Sequence, residues 1–164
     1  MMLHGAAAGA LELRATDDGG FRLAGRFPYG TEAELAPGRF EVVEARAFSP
    51  RLGEGGDVHL LAGHSFDRPL ASRASGTLEL RETAEALEIE ARVEAGTSWA
   101  ADFLAAHRAG LVRGLSPGFR VPSGGDRIER RGNSVLRVIA RAELFEISTV
   151  TRPAFDTAQV EARY

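Results

Sequence analysis

Apolar and polar residues alternate with a period of two over much of the chain. Leu11-Glu12-Leu13-Arg14-Ala15 alternates, Asp17-Asp18-Gly19-Gly20 supplies turn residues, and the alternation resumes over residues 21–27. That arrangement predicts a β-hairpin. Residues 40–43 and 58–61 read as short strands, with a helical turn or loop over residues 45–52 between them. Residues 78–81 and 87–93 alternate about a turn near residues 83–86, which predicts a second hairpin with one buried and one wet face.

The period then changes. Ser98 stands at an N-cap position, Trp99, Phe103, Leu104 and His107 follow at helical spacing, and Gly110 stands at the C-terminal cap. One central helix with an aromatic stripe is predicted. Beyond it, residues 111–121 read as a strand broken by Gly114, Pro117 and Gly118, followed by a turn at Ser123-Gly124-Gly125. Residues 128–131 and 135–140 flank Gly132-Asn133, a hairpin signal, and residues 144–150 form a last strand ended by Pro153. Residues 156–164 read as a short helix. With no internal repeat and no long linker, the pattern predicts a mainly β domain with few helices (α+β), a small barrel or sandwich. This single domain covers residues 11–164, behind a flexible N-terminal arm of residues 1–10.

Composition narrows the chemistry. The 164 residues suit one domain, which buries roughly 70% of the unfolded surface. Twenty basic residues against 23 acidic ones leave a net charge of -3, so neither nucleic acid nor an anionic membrane is an expected partner. All 20 basic residues are arginine, which reflects genome composition rather than a physical need. The absence of cysteine excludes a disulfide framework, a thiolate nucleophile and Cys-ligated zinc. No apolar run reaches the roughly 18 residues of a spanning helix. The apolar opening Met1-Met2-Leu3-His4 lacks a basic flank and makes a poor signal peptide. A soluble intracellular protein is expected, working if an enzyme through Ser, His and carboxylates.

Three segments carry candidate chemistry. His64 follows Gly63 directly after the apolar run Leu60-Leu61-Ala62. A histidine on a turn at a strand end can be held by the sheet and still face a cleft, as a general base must. A polar turn residue is the competing reading. His4 and His107 read as structural. Asp57, His59 and His64 are the only local cluster, and without an HxH or HExxH pattern no metal is expected.

Gly114-Leu115-Ser116-Pro117-Gly118 matches G-x-S-x-G, the nucleophile elbow of α/β-hydrolases. Two features break that assignment. No histidine follows Ser116, and the residue after it, Pro117, has no N–H for an oxyanion hole. In the third segment, Ala142 to Ala154, alternation puts Leu144, Glu146 and Ser148 on one face and Phe145, Ile147 and Thr149 on the other. A mid-strand carboxylate is costly to bury unless something pairs with it, either an arginine or a histidine in need of orientation.

Together these segments resemble the prohead (capsid-maturation) serine proteases of tailed phages and gene transfer agents. The resemblance rests on Leu60-Leu61-Ala62-Gly63-His64 with Pro69-Leu70-Ala71, on Gly114-Leu115-Ser116-Pro117-Gly118-Phe119, and on Glu146-Ile147-Ser148-Thr149-Val150-Thr151-Arg152-Pro153-Ala154. Order and spacing are kept over residues 23–160. The family's early Gly-Tyr-Ala strand stands here as Leu23-Ala24-Gly25-Arg26-Phe27, and its loop on the substrate side is reduced to Arg46-Ala47-Phe48-Ser49.

The resemblance implies a partly closed β-barrel ringed by helices, similar to the herpesvirus assemblin proteases. It implies His64 as general base, Ser116 as nucleophile and Glu146 as orienting acid, with no cofactor. Glu143, one residue out of phase, is the rival acid. Oxyanion donors would come from the backbone near Thr151-Arg152 or Gly118, with the Arg152 side chain acting directly or through water. The implied substrate is the scaffolding segment of the major capsid protein precursor, inside the assembling procapsid in the bacterial host cytoplasm. Self-cleavage and a homodimer stay open, while nucleic acid and membrane are not implied partners. The competing readings are a non-catalytic capsid-assembly or scaffolding module and a small ester or amide hydrolase using the same residues.

Overall fold

The computed structural model describes residues 3–4 and 10–151, and it is mainly β. In chain order the strands are β1 (Leu3–His4), β2 (Ala10–Ala15), β3 (Phe21–Pro28), β4 (Ala33–Ala36), β5 (Arg39–Val43), β6 (His59–Ala62) and β7 (Ser65–Ser72). They continue as β8 (Leu78–Glu82), β9 (Ala86–Val93), β10 (Gly114–Arg120), β11 (Asp126–Arg131), β12 (Ser134–Ile139) and β13 (Glu143–Val150). The helices are α1 (Ser49–Gly53) and α2 (Ser98–Arg108). No helix among the described residues is long and apolar enough to cross a membrane.

The two expected hairpins merge into one four-stranded sheet, β2-β3-β9-β8. Phe21, Leu23 and Phe27 pair with Val93, Ala91 and Leu87, and all six are buried, so the period-two pattern gives this sheet its inner face. A second sheet, β11-β12-β5-β4, contains the Gly132-Asn133 hairpin and joins β12 to β5 in parallel. The third is five-stranded, β1-β10-β13-β6-β7, with β13 parallel to β6 and its other pairs antiparallel. None of these strand orders closes on itself among the described residues. Phe48 joins the sheets into one core, its ring 6.4 Å from that of Phe27 on β3 and 5.8 Å from that of Phe119 on β10.

The structure corrects the sequence expectations at particular points. Thr97, not Ser98, caps α2: its backbone is extended and its hydroxyl accepts from Ala100 N–H at 3.2 Å, while Ser98 is already helical. At the other end Gly110 adopts φ +77. Gly110 N–H and Leu111 N–H donate to the carbonyls of His107 and Ala106, a Schellman motif. Strands β4 and β7 escaped the pattern because neither alternates. β7 is a sheet edge carrying Pro69, where a missing N–H is tolerated.

The expected faces of β13 also change. Gly118 pairs with Glu146 and the next residue, Phe119, with Leu144, so Phe145 is an extra residue in the ladder. This bulge flips the phase, and Leu144 and Ile147 both enter the core. Phe145 is left half-buried between the guanidinium groups of Arg51 and Arg120, 5.2 and 5.5 Å from its ring centre. The helix expected over residues 156–164 lies outside the described residues.

Candidate active site

Gly63 and His64 form the two-residue turn between β6 and β7, flanked by the Ala62–Ser65 pair. Both have φ of 61, the left-handed geometry that such hairpin turns require. Histidine is among the few side chains that tolerate this region. The tip is tied to β13 at two points. Gly63 N–H donates to Thr149 O at 3.0 Å, and His64 N–H donates to the Ser148 hydroxyl at 3.0 Å.

The imidazole of His64 turns towards the same strand, where Nδ1 lies 2.6 Å from Glu146 Oε1. Glu146 is fully buried, and its other oxygen accepts from the Ser148 hydroxyl at 2.6 Å. These bonds offset the cost of burying a carboxylate. An ionised carboxylate only accepts, so this contact sets the hydrogen of His64 on Nδ1 and makes Nε2 the basic nitrogen.

Ser116 stands on β10 directly opposite Ser148, and Gly118 opposite Glu146. Residues opposed in an antiparallel ladder share a face, so Ser116, Gly118, Glu146 and Ser148 line one side of the sheet. The parallel neighbour β6 delivers the His64 turn to that side. Ser116 is 1% exposed, and the side chain of His64 14%. Gly118 leaves the room that the Glu146 carboxylate fills: a Cβ there would lie 2.6 Å from Glu146 Cδ and closer still to Oε1.

His64 and Glu146 are thus brought into contact from distant segments, and Ser116 comes from a third, on the sheet face that carries Glu146. The rival acid, Glu143, pairs instead with Arg120 at 2.6 Å on the exposed side of the bulge. Arg152 lies outside the described residues. His59 sits beside Asp57 with 3.6 Å between Nε2 and Oδ2, and its ring packs edge-on to Phe66 at 5.8 Å. His107 Nδ1 bonds the Val112 carbonyl at 2.8 Å, consistent with a structural role. Among the described residues no group of three or more His, Asp or Glu is arranged to hold a metal.

Sequence reasoning did not assign a task to Ser148 or to Gly63. The signal for Ser148 was present: it shares the alternating face of Glu146. The signal for Gly63 was a Gly-His pair between two short apolar runs.

A family profile described as caudovirus prohead serine protease matches residues 9–164, nearly the whole chain. Comparison with curated proteins and with solved structures finds no match.

Proposed function

Because the chain belongs to the caudovirus prohead serine protease family, we propose that it is a serine endopeptidase that cuts the scaffolding segment from a capsid protein precursor inside the assembling procapsid. The observation that carries this reading is the 2.6 Å contact between His64 Nδ1 and Glu146 Oε1, on the same face of the sheet as Ser116. The three sheets around one core are the form in which we read an assemblin-like, partly closed barrel.

In this reading Ser116 Oγ attacks the scissile carbonyl carbon while its proton passes to His64 Nε2. Glu146 holds the Nδ1–H tautomer and stabilises the imidazolium without taking the proton. Collapse of the tetrahedral intermediate breaks the C–N bond, and His64 returns the proton to the leaving amine. Water, deprotonated by His64, then hydrolyses the acyl-serine ester and restores Ser116. The oxyanion donors are proposed among the Gly118 backbone and the Thr151-Arg152 region, since Pro117 supplies no N–H. The precursor is the substrate, self-cleavage uses the same chemistry, and no cofactor enters.

The test is co-expression with a capsid precursor, read by mass spectrometry. Wild type trims the precursor, whereas Ser116→Ala, recovered as a folded protein, does not. Unchanged trimming by Ser116→Ala overturns the reading and leaves the non-catalytic assembly module. Turnover of small esters without precursor cleavage would assign the same residues to a small hydrolase.

A further inference from the structure

β10 carries Ser116 and has β13 on one side. On the other side, the sheet ends with the chain's own N-terminal strand. Leu3 pairs antiparallel with Phe119 and His4 with Gly118, two residues from Ser116. Six of the seven residues of β10 are buried, and Ser116 itself is 1% exposed.

Proteins that recognise extended peptides commonly do so by accepting them as an added strand, with backbone hydrogen bonds supplying affinity. The strand edge nearest Ser116 is the outer edge of β10, and β1 occupies it. We propose that this edge is the docking strand for an extended peptide substrate, and that the N-terminal strand is a competing occupant which the substrate must displace. The proposal rests on the peptidase reading above.

The register gives it detail. Antiparallel pairing advances one residue per residue, so a peptide bound as β1 is bound meets Ser116 two positions after the residue in the place of His4. The sequence from Gly5 to Ala10 is glycine and alanine alone. A peptide of that composition can approach a buried face lined by Ser116, Ser148 and Glu146 without side-chain clash.

The experiment separates binding from cleavage. A fluorescein-labelled peptide with the sequence of residues 1–10 is titrated against full-length Ser116→Ala, and against the same chain carrying Leu3→Pro and His4→Pro. An edge already occupied lowers apparent affinity by the fraction of molecules left open, so the proline variant is expected to bind at least about tenfold more tightly. Equal affinity of the two chains, or no binding by either, overturns the proposal. If the proline pair does not fold, Leu3→Gly with His4→Gly weakens strand pairing more gently, and the same comparison decides. Because Ser116→Ala is used throughout, this result is independent of precursor cleavage: a chain that trims the precursor yet shows equal affinities keeps the peptidase reading and loses this one.

Discussion

Gly118 and Glu146 face each other across the β10–β13 ladder, and the carboxylate occupies the space where a side chain on residue 118 would be. A Cβ there would lie 2.6 Å from Glu146 Cδ, with the neighbouring backbone fixed by strand pairing. Gly118→Ala should therefore push the carboxylate off His64 Nδ1. We expect kcat to fall by roughly 10²-fold or more, the scale of a 1 Å misplacement, with KM little changed. Steady-state kinetics on a peptide substrate, with far-UV circular dichroism to confirm folding, checks this. Full activity in Gly118→Ala would remove Glu146 from the proposed mechanism.

Glu146→Gln keeps the volume but offers His64 an amide that can donate as well as accept, so the Nδ1–H tautomer is no longer enforced. A loss of roughly 10³–10⁴-fold in kcat is expected, smaller than that of Ser116→Ala, because positioning and oxyanion contacts survive. Single-turnover rates of the two variants decide the order.

Ser148 acts through others: its hydroxyl donates to Glu146 Oε2 and accepts from the His64 backbone N–H. Ser148→Ala leaves a buried carboxylate oxygen short of a donor, which costs about 1–3 kcal/mol in stability. Activity should fall as well, since the turn and the carboxylate both lose an anchor. Ser148→Thr keeps the hydroxyl and should restore kcat. Failure of threonine to rescue, with the fold intact, would reduce Ser148 to a packing role.

A second buried carboxylate predicts a pH dependence of stability. Glu41 is 4% exposed on β5, and burial pushes its pKa up to about 7, opposed by Arg137, whose Nη1 lies 3.5 Å from Oε2. Arg137 is shared with Asp126, 2.7 Å from its Nε. A carboxyl group whose pKa is higher in the folded state than in the unfolded one binds more protons when folded. Stability therefore declines as pH rises from the unfolded value of 4.5 to about 7. The decline amounts to up to about 3 kcal/mol at about 1.4 kcal/mol per pKa unit. Glu41→Gln should flatten this slope and raise the unfolding temperature at pH 8 relative to wild type. An unchanged slope in the variant would show that Glu41 is not its source.

The hairpins of β2-β3 and β8-β9 were legible because alternation and turn residues lie side by side in the chain, where local sterics decide. The bulge at Phe145 was not, since an extra residue is defined only by the partner strand, and β10 lies far upstream. For the same reason the phase argument against Glu143 does not hold: the bulge sets Glu143 opposite Arg120, on the β10 face of Ser116 and Gly118, and its pairing with Arg120 rather than its phase separates it from Glu146. Thr97 was missed by one position because both Thr97 and Ser98 can cap, and only backbone angles separate them. Ser116 and His64 stood out as chemistry. Their meeting on one face depends on β13 pairing with β10 and β6 at once, and no local pattern encodes that.

The parallel pairing of β13 with β6 has a consequence for synthesis. His64 and Glu146 are 82 residues apart, which a ribosome adding 5–20 residues per second covers in roughly 4–16 seconds. Over the last 30 residues of that interval, from Ser116 to Glu146, the nascent chain holds both its serine and its histidine without the strand that aligns them. Under the proteolytic reading, the host is therefore shielded by translation order: no molecule can cut its neighbours until β13 has left the ribosome and inserted between β10 and β6.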